Sequence, residues 1–135
     1  QDMLRTYELQ GFMREPVFGR CSGPLSDGKK NEVVNFPVLA AESSIMRVAE
    51  QRVIHRYPYM GDGRGLIHQC HDSVAVEMDL PPGLPPDWKP EKGEPLPREI
   101  QEAKEYIEWA MTVNVPGWEV PITAEADVGR TLKDV

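Results

Sequence analysis

From Arg98 to Val113, apolar residues recur at three- and four-residue steps through Ile100, Ala103, Ile107 and Ala110 or Met111, with charged residues on the other face. That spacing predicts an amphipathic helix. A second helical pattern follows Pro37, where Val38, Ala41, Ile45, Val48 and Arg52 share a face. Proline is tolerated in a first helical turn and Asn35 can cap, so the pattern predicts a helix over about 37 to 56. Tyr57, Pro58 and the run MGDGRG end it. Between the helices the period drops to two. Val74, Val76 and Met78 alternate with Ala75, Glu77 and Asp79, and Leu66 to Cys70 forms a second extended run just before them. The two runs predict a hairpin turning at His71, Asp72 and Ser73. No glycine stands in that turn, so something other than turn propensity selects its residues.

The rest of the chain is punctuated by turn formers. MLRTYEL reads as helical and Gly11 as its stop, and a turn-rich stretch with a short hairpin around Phe12 to Phe18 follows. Residues 80–97, LPPGLPPDWKPEKGEPLP, hold seven prolines and two glycines. Such a segment suits neither a helix interior nor a central strand, and it predicts an exposed, stiff connector with Trp88 as a pin. A last strand is expected near Ile122 to Ala126, then a turn at Gly129. The order predicts an α+β fold: a two-layer antiparallel arrangement in which the hairpin packs against two helices and keeps its tip exposed.

At 135 residues the chain is one ordinary domain or part of a larger one. Lys and Arg number 15 against 22 Asp and Glu, a formal charge of -7. This balance disfavours a free-standing basic nucleic-acid module, because duplex affinity depends on cations that neutralise phosphates. A nucleic-acid role then needs a local surface or a larger assembly. The two cysteines, Cys21 and Cys70, have no paired ligand spacing, which argues against a structural zinc site or a disulfide framework and fits a reducing, cytoplasmic setting. No apolar run is long enough for a membrane span or a signal peptide. The first residue, Gln1, is compatible with processing or with a longer polypeptide.

The chemistry concentrates in His68-Gln69-Cys70-His71-Asp72-Ser73. A carboxylate at an exposed hairpin tip can hold a divalent cation beside a phosphate if a second carboxylate faces it, which makes Asp72 a metal-ligand candidate. Aspartate is equally at home as a plain turn residue, and His71 as a histidine satisfied by a carbonyl. His68 and His71 do not share a strand face, which weakens a two-histidine zinc site. Glu77 with Asp79, and Glu125 with Asp127, read as solvated pairs. Arg14, Arg20, Lys29, Lys30, Arg47 and Arg52 are candidate phosphate contacts or ordinary hydrated surface. Ser73 lacks the glycine-flanked elbow of a serine hydrolase.

LIHQCHDSVAVEMD, Leu66 to Asp79, resembles the metal-binding hairpin of the palm in family A DNA polymerases, the bacterial polymerase I and phage replicative group. There a hydrophobic strand leads into a His-Asp turn whose aspartate is one of two metal-binding acids. The likeness continues in order along the chain. GFMREPVFGRCSGP resembles a family stretch through Gly11, Phe12, Gly19, Arg20 and Pro24; Asn35-Phe36-Pro37 resembles the start of the long palm helix; Thr123 to Lys133 resembles the last strand and its turn.

The resemblance implies that residues 1–135 are the C-terminal part of a polymerase palm, with 80–97 a proline-rich insert. It implies that Asp72 binds catalytic Mg2+ in a two-ion site shared with an aspartate outside this chain, that His71 positions the primer terminus, and that Asn35 contacts the DNA minor groove. Lys30, Arg20 and Asn31 are implied as further DNA contacts. Leu39 stands where the family has a glutamine, and Asn31 where it has an arginine. The family's first aspartate motif and its nucleotide-holding fingers helix are not found in this sequence, and one palm carboxylate alone cannot assemble a two-metal site. The implied function is therefore DNA-templated nucleotidyl transfer to a primer 3'-hydroxyl only when the rest of the polymerase, an upstream segment or a separate chain, completes the enzyme. Its partners are primer-template DNA and a deoxynucleoside triphosphate, with no membrane, in the cytoplasm of a bacterial host if phage-encoded. The alternative is a non-catalytic polymerase-like module that binds a protein partner. A small metal-dependent nuclease lacks an identifiable second acidic centre.

Overall fold

A computed structural model describes residues 3–24 and 30–134. Three helices and two strands follow in the order α1 (Met3–Gln10), α2 (Lys30–Arg56), β1 (Gly65–Cys70), β2 (Ser73–Glu77) and α3 (Arg98–Met111). The class is α+β, with one two-stranded antiparallel sheet among the described residues. The chain divides into two compact units. One takes the residues up to Arg47 with Val115–Trp118, and the other takes Val48–Asn114 with the residues from Glu119 onward.

In the first unit, α1 ends where expected: Gly11 takes a φ of 74°, and its amide donates to the Tyr7 carbonyl at 2.7 Å. The expected hairpin near Phe12 is reduced to a single antiparallel bridge between Arg14 and Cys21. Its loop is held by Glu15, a fully buried residue whose carboxylate accepts from the backbone amides of Val17 and Phe18. Those two bonds satisfy buried carboxyl oxygens that would otherwise be costly to leave unpaired.

The second helix starts seven residues before Pro37, not at it. Asn35 is therefore inside the helix and caps nothing. Pro37 has no amide to give the Val33 carbonyl, a real cost in a helix interior, yet the helix runs through it and buries Val33 on the stripe it shares with Ala40, Ala41, Ser44 and Ile45. That stripe recurs at three- and four-residue steps, as a docked helix face must.

In the second unit, α2 and α3 are joined by their ends. Tyr106 donates its hydroxyl to the Arg52 carbonyl at 2.7 Å, and Arg52 donates to the Thr112 carbonyl at 3.2 Å beyond the end of α3. Arg52 also lies 5.1 Å from the Trp109 ring centre, and Arg56 lies 4.7 Å from that of Tyr106. Each such cation–ring contact contributes about 0.5–1 kcal/mol at an exposed site. Ala49, Val53, Ile100, Ala103 and Ala110 bury their side chains.

The proline-rich segment carries neither helix nor strand. It runs through three turns, closed by amide-to-carbonyl bonds from Leu84 to Pro81, Trp88 to Pro85 and Glu94 to Glu91. Trp88 is half-buried and Pro81 buried. The strand expected at 122–126 does not form. The amide of Ala126 is instead taken by the Glu108 carboxylate at 3.0 Å, so this stretch is tied to α3 by a side chain and not to a ladder.

Gly65 fixes where the hairpin begins. It has a φ of 87°, and a Cβ there would lie 2.0 Å from the Pro58 carbonyl oxygen. We expect Gly65→Ala to destabilise the fold by about 2–3 kcal/mol in urea unfolding, since both the backbone conformation and the space forbid a side chain. A change under about 0.5 kcal/mol would contradict this contact. Glu108 gives a pH test. The Lys104 ammonium and then the Ala126 amide hold its carboxyl below the usual glutamate value of 4.5. Its contribution is therefore complete above that unfolded value and is lost as pH falls through the lower folded one. Glu108→Gln should flatten the acid-side loss of stability below about pH 4.5 in thermal melts across pH.

Candidate functional site

Residues Gly65–Cys70 and Ser73–Glu77 pair with Gly65 opposite Glu77 and Cys70 opposite Ser73, leaving His71 and Asp72 as a two-residue turn. The ladder is irregular between Leu66 and His68, where Ile67 is one residue too many on β1. This bulge re-phases the strand. Leu66 and Gln69 fall on the face of Val76 and Val74, whereas His68 and Cys70 fall on the face of Ala75 and Ser73. Gly65 is buried, the middle of the ribbon half-buried and the turn exposed. The expectation of a sheet packed under two helices is thus narrowed to a ribbon rooted at one end.

The root is bonded to the segment after α2. The Leu66 amide donates to the Tyr57 carbonyl at 2.9 Å, and the Met60 amide to the Arg64 carbonyl at 3.1 Å. Arg64 then reaches across the ribbon to Asp79 at 2.6 Å while holding Asp62. The Arg64 guanidinium keeps the Asp62 carboxyl below its ordinary range. Asp79, read from the sequence as solvated beside Glu77, is exposed and also forms an ion pair at the root.

The turn itself is unusual. His71 has a φ of 51° and is the one described residue other than glycine with positive φ. Asp72 does not share it, so positive φ is confined to the first central position of the two-residue turn, the position that a type II' turn usually gives to glycine. A side chain there costs on the order of 1–2 kcal/mol. Two side chains close on this backbone: Gln69 Nε2 donates to the His71 carbonyl at 3.0 Å, and Ser73 Oγ to the Cys70 carbonyl at 2.9 Å. The Asp72 carboxylate is exposed and makes no hydrogen bond or ion pair among the described residues.

The candidate DNA contacts Lys30, Asn31, Asn35 and Arg20 belong to the first unit. Lys30 and Asn31 open α2, and Asn35 follows one turn later; all three are exposed. Arg20 is exposed and donates to the Ser43 hydroxyl at 3.0 Å. Lys29 lies outside the described residues. Arg52 is corrected: its guanidinium is taken by Trp109 and by the carbonyls at the end of α3, so it is a packing residue. Glu125 and Asp127 are exposed on an irregular stretch. Gln69, whose side chain bonds the His71 carbonyl, had no role assigned from the sequence, and its position two before a glycine-free turn was the available signal. Among the described residues no three or more His, Cys, Asp or Glu side chains gather to hold a metal ion. Among those residues, too, no helix is long and apolar enough to cross a membrane. No family model, curated protein or solved structure matches the chain.

The strain at His71 has a measurable consequence. Glycine takes positive φ freely, so His71→Gly should raise stability by about 0.5–1 kcal/mol in urea unfolding, after its greater unfolded-state freedom is deducted. A loss of stability would mean that the left-handed conformation at His71 carries no strain.

Proposed function

We propose that this chain is the C-terminal palm segment of a DNA-templated DNA polymerase and supplies one of its two metal-binding aspartates. The observation that carries this reading is the turn: a glycine-free bend that accepts backbone strain at His71 while displaying a carboxylate with no partner among the described residues. Strain of this kind persists where the surrounding structure enforces it, and it is concentrated at functional sites. The motif resemblance of Leu66 to Asp79 gives the strain a use.

In this reading Asp72 offers a hard oxygen ligand of the type magnesium takes, and the ion is completed by phosphates and by a carboxylate from the remainder of the polymerase. When bound, a pair of such ions supplies activation of the primer hydroxyl and neutralisation of the leaving pyrophosphate. His71, adjacent and exposed, orients the primer terminus. Asn35 contacts the minor groove, where its amide matches acceptors common to all base pairs, with Lys30, Asn31 and Arg20 toward the backbone phosphates. The chain does not act alone.

One observation favours the second reading, a non-catalytic assembly module. Val38 and Leu39 are 68% and 59% exposed, and Val34 adds to them, so the face of α2 that carries Asn35 is largely apolar. Such an apolar surface suits a protein partner. Asp72→Asn separates the two. Under the polymerase reading it lowers nucleotide incorporation by the complete assembly at least 100-fold, about 2.7 kcal/mol of transition-state stabilisation, in a primer-extension assay with magnesium. Incorporation within twofold of the unsubstituted assembly would leave only the assembly module.

A further inference from the structure

Gln69 and Ser73 are the two side chains that close on the strained turn, and neither has a part in the chemistry proposed above. A peptide group is planar, so a bond to its carbonyl fixes the orientation of the whole plane. The bond from Gln69 holds the plane between His71 and Asp72, and the bond from Ser73 holds the plane between Cys70 and His71. The two planes on either side of His71, the residue with positive φ, thus each have a side chain bonded to their carbonyl. If the His71–Asp72 plane turned over, the bend would become a type I' turn with positive φ at Asp72 as well. The Cα–Cβ bond of Asp72 would then leave in a different direction, since it is set by that plane and by the φ of the same residue.

We propose that Gln69 is a positioning residue, with Ser73 as its companion: its side-chain amide selects the orientation of the His71–Asp72 peptide and so aims the Asp72 carboxylate. This rests on the polymerase reading of Asp72. Residue type matters as well as place. A side chain two positions before His71 needs the length of Gln and an N–H at its end. Methionine has the length without the donor. Exposed as it is, the bond biases the turn only modestly, by about two- to tenfold in population.

The test has a conformational arm and a functional arm. In the full chain, NMR backbone shifts and three-bond couplings at His71 and Asp72, with amide exchange at Cys70 and Ser73, are compared between the unsubstituted protein and Gln69→Met. The expected result is a second turn conformer and a two- to tenfold loss of protection, with no further loss when Gln69→Met is added to His71→Gly, because glycine no longer needs the clamp. In the complete assembly, Gln69→Met should raise the magnesium concentration at half-maximal primer extension about three- to tenfold, with the KM for deoxynucleoside triphosphate measured at saturating magnesium unchanged. A merely structural role would lower the active fraction without moving the magnesium midpoint.

An unchanged turn in Gln69→Met overturns the clamp. A loosened turn with an unmoved magnesium midpoint overturns the positioning role. Asp72→Asn distinguishes these failures from that of the polymerase reading: if it abolishes incorporation while Gln69→Met moves nothing, only the inference on Gln69 falls.

Discussion

The backbone of Gly65 lies against the carbonyls of Tyr57 and Pro58, and the hairpin depends on that approach. Only a residue without a Cβ fits, and only glycine takes its φ easily. Once Gly65 is seated, the Leu66 amide finds the Tyr57 carbonyl and the strand leaves the end of α2 in a set direction. Arg64 adds an electrostatic clasp by holding Asp62 and Asp79 together, though exposed ion pairs of this kind contribute little by themselves. Five residue steps carry the chain about 16 Å from root to turn. The buried end provides the anchorage, and the exposed end is left to display His71 and Asp72.

The join between α2 and α3 within the second unit does related work. Arg52 and Arg56 lie over aromatic rings while Tyr106 and the end of α3 take up the polar atoms. Arginine suits such a place because its guanidinium stacks and donates at once. The helix end from which Tyr57 and Pro58 emerge is thus held on one side by α3, and the hairpin grows from that same end. The turn at the far end is bonded instead by its own neighbours, Gln69 to the His71 carbonyl and Ser73 to the Cys70 carbonyl.

Much of this was legible in the sequence, for identifiable reasons. The third helix follows its apolar period almost to the residue, and the two strands follow theirs, with the glycine-free turn already marked as unusual. The start of α2 was not legible because proline was read as a first-turn residue, whereas the helix runs through it and buries Val33. The strand at Ile122 was not legible either: alternation shows what can pair, but Glu108 had already claimed the Ala126 amide. Contacts between distant residues, Arg52 with Thr112 or Arg64 with Asp79, leave no local pattern to read. Of the turn, the positions of His71 and Asp72 between the two strands were legible, whereas the bond from Gln69 required the geometry.

The central claim is that Asp72 lies beside a divalent ion in an assembled polymerase. It is tested most directly by replacing magnesium with ferrous iron in the complete primer-template assembly and mapping where ascorbate-driven radicals cut this chain. The account predicts cuts confined to the residues around His71–Ser73 and suppressed by excess magnesium. Cuts elsewhere in the chain with the hairpin tip untouched would contradict it.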